Sequence, residues 1–177
     1  MWRRSRGHRG ATEARLKTIA IGADEAAFHL KEVIKESLAA LGHQVEDYGV
    51  YDTRPVLYPD IALAVAEAVR AGKHDRAILM CGTGIGMAIS ANKVLGIRAA
   101  VCHDPYSAER SRKSNDCQIM TMGSRVIGEE LAKALVRIWL ESEFQGGNSA
   151  PKVQRIREIE QEQLAGRGRP IAPVEEG

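Results

Sequence analysis

Short runs of apolar and β-branched residues alternate along this chain with longer runs whose apolar positions fall three and four apart. Lys17-Thr18-Ile19-Ala20-Ile21-Gly22 has the pattern of a short buried strand, and Phe28, Leu30, Ile34, Leu38 and Leu41 then share one helical face that closes at Gly42. Residues 44–48 predict a second strand. Residues 58–71 predict a helix with Ile61, Val65 and Val69 on one side and Gly72 past its end. Residues 76–81 form a third strand that runs into the turn Gly82-Thr83-Gly84-Ile85-Gly86, with a helix over 87–93 behind it. A fourth strand covers 97–102, after which Asp104-Pro105 marks a helix start, an acidic cap followed by proline in the first turn. Residues 118–122 form a fifth strand and 129–143 a helix. Residues 151–164 close the pattern with an amphipathic helix carrying Val153, Ile156 and Ile159.

Strands joined through helices pair in parallel, because a parallel neighbour is reached only by a crossover, and helices then cover both faces of the sheet. The expectation is a doubly wound α/β fold, a five-stranded Rossmann-like sheet in the flavodoxin-type order 2-1-3-4-5 with an extra C-terminal helix. Ligands of such sheets bind beyond the carboxyl ends of the strands where the order reverses, here between strands 1 and 3. That places Asp24-Glu25 beside residues 81–86.

With 177 residues, 44% of them apolar, the chain predicts one domain, over 17–165. Residues 1–16 read as a disordered basic arm and 166–177, with two prolines and three glycines, as a flexible tail. An Arg-rich, acid-poor start is also the composition of an organellar transit peptide or an expression leader. The arm carries a net positive excess, which leaves a mildly acidic body and argues against nucleic acid as a partner. No run reaches the roughly 18 apolar residues of a membrane helix, and Met1-Trp2-Arg3-Arg4-Ser5-Arg6 lacks the apolar centre of a secretory signal, so no membrane partner is expected. Cys81, Cys102 and Cys117 are sparse, odd in number and without metal-type spacing, which predicts reduced thiols in a cytoplasm and no metal.

Glycines at alternate positions in 82–86 free backbone N–H groups to converge on a small space, which suits an anion, although a plain tight turn uses the same residues. A dinucleotide fingerprint belongs after strand 1, where this chain has Gly22-Ala23-Asp24-Glu25, and no Gly-Lys-Ser/Thr ends the turn, so neither NAD nor a Walker-type nucleotide site is expected, nor any other cofactor. Cys81 ends its strand just before these donors, as a base or nucleophile does, or as a small core residue. Cys102 and Cys117 read as small apolar residues. Asp24 is either a helix cap or a substrate ligand. His103, ending the fourth strand, is placed to face the same crevice. Asn115, Arg125, Lys152, Arg155 and Arg157, taken singly, are surface groups.

Gly22-Ala23-Asp24, Tyr58-Pro59-Asp60, Cys81-Gly82-Thr83-Gly84-Ile85-Gly86, Ala91-Asn92-Lys93, Gly96-Ile97-Arg98-Ala99, Tyr106-Ser107-Ala108, Ser114-Asn115-Asp116, Gly123-Ser124-Arg125 and Gly146-Gly147 occur in this order. Over about residues 17 to 160 the chain therefore resembles the type B ribose-5-phosphate isomerases and the related galactose-6-phosphate isomerase subunits. The resemblance implies a metal-independent aldose–ketose isomerase of a sugar phosphate, working through a cis-enediolate. Cys81 would be the base, Thr83 a proton donor, and the amides of Gly82, Gly84, Ile85 and Gly86 the anion hole, with Asp24 and Asn115 on sugar hydroxyls. It also implies a homodimer or homotetramer in which basic residues of a second subunit, with Arg125, hold the phosphate. The chain departs from the family where Glu25 replaces a phosphate-reaching His and Ser114 a ring-opening His, and where a pair of arginines becomes Asn148 and Lys152. Those positions decide the sugar and point to a tetrose/tetrulose 4-phosphate pair, with His103 as a replacement ring opener if the sugar is a pentose. The competing class is a phosphate- or nucleotide-binding regulatory module on the same fold.

Overall fold

The computed structural model describes residues 16–166. The strands β1 (Thr18–Ala23), β2 (Gln44–Asp47), β3 (Arg76–Cys81), β4 (Ala99–Val101) and β5 (Ile119–Gly123) form one parallel sheet. The helices are α1 (Phe28–Ala40), α2 (Tyr58–Arg70), α3 (Ile85–Ala91), α4 (Pro105–Lys113), α5 (Glu129–Glu141) and α6 (Ala150–Leu164). On one face Ile19, Ile21, Ile78, Met80, Met120 and Met122 pack with Ile34, Leu38, Leu135 and Trp139 of α1 and α5. On the other, Ala20, Ala77, Leu79 and Ile119 pack with Val65, Ala66, Met87 and Ala91 of α2 and α3. Successive strand residues thus feed two separate cores, which is why β1, β3 and β5 read as near-continuous apolar runs.

The doubly wound α/β class is the expected one, but the last two strands are exchanged: the order is β2-β1-β3-β5-β4. β5 pairs with both β3 and β4 and is buried at all of its positions, whereas the three residues of β4 are only partly buried. The longer apolar strand takes the interior and the short one the edge. β4 is shorter than 97–102 because Gly96 turns the chain at φ +80° and the Arg98 N–H goes to Gln118 Oε1 rather than to the ladder. A 3-10 turn over Glu25–Ala27 precedes α1, and α3 begins at Ile85, inside the glycine run.

The amino ends of the strands are closed by buried charge. Arg76 is 2% exposed and donates to the carbonyls of Trp139 (2.7 Å), Leu140 (3.1 Å) and Ser142 (2.8 Å), which ends α5. α6 lies against this same end. Its Glu160 carboxylate accepts the Gly96 N–H ahead of β4 (2.9 Å), and Val153 is buried. Among the described residues no helix is long and apolar enough to cross a membrane. Apart from Leu16 and Gly166, the expected arm and tail lie outside the described residues.

Candidate active site

β1, β3 and β5 are neighbours, and their registers pair Ala23 with Met80 and Cys81 with Gly123. The residues that follow these strands, Asp24, Gly82 and Ser124-Arg125, therefore meet at one place. Backbone contact holds them there. A Cβ on Gly84, which stands at φ +78°, would lie 2.8 Å from a Met122 backbone carbon, and one on Gly123 would lie 2.6 Å from Thr83 Cα. Neither position tolerates a side chain. Thr121 Oγ1 donates to the Gly84 carbonyl (2.9 Å), and the Ser124 and Arg125 amides donate to the carbonyls of Cys81 (2.9 Å) and Gly82 (3.1 Å).

Cys81 is buried, with Sγ accepting the Gly84 N–H at 3.0 Å. The Ile85 N–H points at Thr83 Oγ1 (3.3 Å), so two amides expected to face an anion serve the loop's own side chains here. Asp24 Oδ1 accepts the Ala27 N–H (3.2 Å); the residue is a cap and also part of the crevice. Burial, and after it the neighbouring Glu25 charge, holds the Asp24 carboxyl above its ordinary pKa, against the pull of Arg125. The Arg125 side chain lies across Gly82, where a Cβ would come 3.5 Å from its Nε. Glu25 Oε2 accepts the Val56 N–H at 3.3 Å. His103 does reach this end of the sheet, but its Nε2 accepts the Gly123 N–H (2.9 Å), and burial lowers its pKa.

Ser114, Asn115 and Lys152 are not brought to Cys81. α4 starts beyond the carboxyl end of β4 and returns to the amino end of β5, so Ser114 and Asn115 at its close lie at the opposite end of the sheet. Asn115 lines a groove of about 560 Å³ along β4 with Arg98, Tyr106 and Arg110, and Arg110 donates to Ser114 Oγ. Lys152 is exposed on α6. Cys102 and Cys117 are small buried residues, as expected, their thiols pushed up by burial to about 11 and about 12. Two contributors escaped the sequence reading. Tyr58 packs its ring where a Cβ on Gly86 would stand, 2.6 Å away, and Arg110 supports Ser114. The second is an i, i+4 helix pair and so was in principle legible.

A buried thiol, a cap carboxyl and a glycine turn meet at the switch point of a doubly wound sheet, where folds of this class bind small ligands. The chain belongs to the ribose/galactose isomerase family, whose model matches residues 19–156, and it is a sugar-phosphate isomerase. It is 56% identical over 140 residues to a D-erythrulose-4-phosphate isomerase of Pectobacterium atrosepticum, covering 78% of this chain and 92% of that one. To the ribose-5-phosphate isomerase B of Escherichia coli it is 46% identical over 146 residues, covering 82% and 98%. The solved ribose-5-phosphate isomerase B of Clostridium thermocellum superposes with a TM-score of 0.81 at 48% identity, covering 82% of this chain and 99% of that one.

The raised pKa of Asp24 has a consequence for stability. The folded protein holds the proton more tightly than the unfolded chain, so the ionised carboxyl costs stability at neutral pH; the cost shrinks as pH falls and vanishes below the ordinary value of 3.8. Asp24→Asn, which keeps an oxygen for the Ala27 amide, is expected to be more stable than the parent at neutral pH and to lose that advantage in acid. Urea unfolding at both pH values checks it; an equal gain at both would contradict the assignment.

Proposed function

We propose that this chain interconverts an aldose phosphate and its ketose through a cis-enediolate, without a metal, and that its preferred pair is a tetrose/tetrulose 4-phosphate. Cys81 carries the reading. It ends β3 at the switch point, beside the loop that carries Asp24, and its Sγ is held by the glycine turn, which supports a role in proton transfer. Cys81 takes the proton from the carbon beside the carbonyl and returns it to the neighbouring carbon. Thr83 moves the proton between the two oxygens, and the turn's amides other than those of Gly84 and Ile85 hold the developing oxyanion. Asp24 orients the sugar hydroxyls.

The substrate reading rests on Ser114 and on the erythrulose-4-phosphate relative. Five-carbon sugar phosphates rest largely as rings, which an isomerase has to open with a titrating group, and the Ser114 hydroxyl does not titrate near neutrality. A four-carbon sugar phosphorylated on its terminal oxygen has no free hydroxyl to close a five-membered ring, so it needs no such group. His103 is a poor substitute, since Nε2 is committed to the Gly123 amide and burial disfavours its charged form.

A homodimer or homotetramer belongs to the same reading. The crevice of one chain holds the acids Asp24 and Glu25 beside Arg125, whereas a phosphomonoester brings close to two negative charges. Cations and the Asn115 amide have to arrive from a second copy. Exposed apolar residues beside the crevice, Leu57 and Ile85, and the half-exposed Ile156 and Ile159 of α6 are surfaces such a copy would cover. A soluble cytoplasmic enzyme fits this chemistry.

Cys81→Ala is expected to lower turnover by about 10² or more while the fold and the binding of a hydroxamate mimic of the enediolate persist. Near-normal turnover would remove Cys81 from the role of base. The wild-type kcat/KM should favour erythrulose 4-phosphate over ribulose 5-phosphate, and a preference of about tenfold or more for the pentulose would refute the substrate reading. Sedimentation at micromolar concentration should show a dimer or larger species; a fully active monomer would count decisively against the shared site.

A further inference from the structure

The segment joining β2 to α2 forms one wall of the crevice, because Tyr58 at its far end packs on Gly86. Both of its ends are anchored. Lys31, fully buried, donates to the Val50 carbonyl (2.6 Å) and to Asp47 (2.7 Å), and Tyr58 begins α2. Between these anchors residues 53–57 are exposed, and a cavity of about 480 Å³ lined by Tyr48, Arg54, Pro55, Val56 and Ile61 lies under them. The segment is therefore not held by packing from below. Arg54 turns back onto Asp52 of the same segment (2.9 Å) and gives it no outside anchor. The hydrogen bond that crosses to the floor of the crevice is the one from the Val56 N–H to Glu25 Oε2, and Glu25 adjoins Asp24 in sequence and in space.

We propose that Glu25 is a positioning and specificity-determining residue: its carboxylate latches the 52–57 segment to the floor of the crevice and closes that end to a substrate longer than a four-carbon sugar phosphate. The proposal deepens the tetrulose reading and rests on it. Two features make Glu25 a boundary and not a ligand. Its acceptor oxygen is engaged by the wall, and a second carboxylate beside Asp24 repels a phosphate dianion from that end. The phosphate then has to lie away from Glu25, and the latched wall limits how much carbon chain fits between the two.

The test compares Glu25→Ala, which loses the latch, with Glu25→Gln, whose amide oxygen still accepts the Val56 N–H. Hydrogen exchange at the Val56 amide, which needs no substrate, should quicken by about tenfold or more in Glu25→Ala and stay near the parent in Glu25→Gln. Discrimination between erythrulose 4-phosphate and ribulose 5-phosphate should fall about tenfold in Glu25→Ala, through KM and with kcat within about threefold of the parent, and Glu25→Gln, which keeps the latch but loses the charge, should recover part of it. Unchanged exchange in Glu25→Ala overturns the latch whatever the sugar. Faster exchange with undiminished discrimination overturns the length limit. A parent enzyme that prefers the pentulose strikes the tetrulose reading and the length limit together, and the exchange result still decides the latch.

Discussion

Backbone-to-backbone contact between the glycine turn and β5 is the constraint on which the site depends. Gly84 and Gly123 each leave room for nothing larger than hydrogen, and their partners are main-chain atoms of Met122 and Thr83 that cannot step aside. This contact sets the distance between the Cys81 loop and the Ser124-Arg125 loop. It also requires β5, not β4, to lie beside β3. The strand order and the site geometry are thus one fact: the strand whose following loop carries Arg125 has to occupy the interior, and the three-residue β4 is left at the edge.

That order was not legible in the sequence. Residues 97–102 and 118–122 are both short apolar runs, and a period of two says which face a residue meets but not which strand lies next to it. Alternation, helix faces and glycine positions did fix the five strands, the six helices and the meeting of Asp24 with Cys81, because those are local signals or follow from the switch-point rule. The interactions that escaped join residues far apart in the chain. Glu25 and Val56 are 31 positions apart and His103 and Gly123 are 20 apart. His103 looked available from its place at a strand end; only the fold shows its nitrogen already engaged.

Charge is distributed along the strands with a clear division. At the amino ends Arg76, Arg98 and Arg112 are buried, and they donate to backbone carbonyls and pair with Asp116 and Glu143, with the Arg112 Nε left without a hydrogen-bond partner. Burial is costly enough to lower the Arg76 pKa to about 10, yet its guanidinium donates to the Trp139, Leu140 and Ser142 carbonyls where α5 ends and its last carbonyls run short of intrahelical donors. These three guanidinium groups are committed to the fold. In the crevice at the carboxyl ends the exposed Arg125 stands with the acids Asp24 and Glu25, and hydrogen bonds of the loop run inward to Cys81 and Thr83.

Under the proposed tetrulose reading, the imbalance bears on which sugar the crevice would accept. With Glu25 where a cation would reach a distant phosphate, extending the substrate toward that side brings its dianion against a carboxylate, and Coulomb repulsion at a few ångströms outweighs what one additional hydroxyl contact returns. A shorter substrate keeps its phosphate near Arg125 and whatever cations a second copy supplies. The same substitution that removes an attractive contact for a long substrate therefore creates a repulsive one. Discrimination built from a repulsive element needs no gain in affinity for the short sugar, only a loss for the long one. Ser114 acts in the same direction by a different route, since it withdraws ring opening and not binding. In the proposed reading, two changes on separate elements, one electrostatic and one chemical, both favour an open-chain four-carbon substrate.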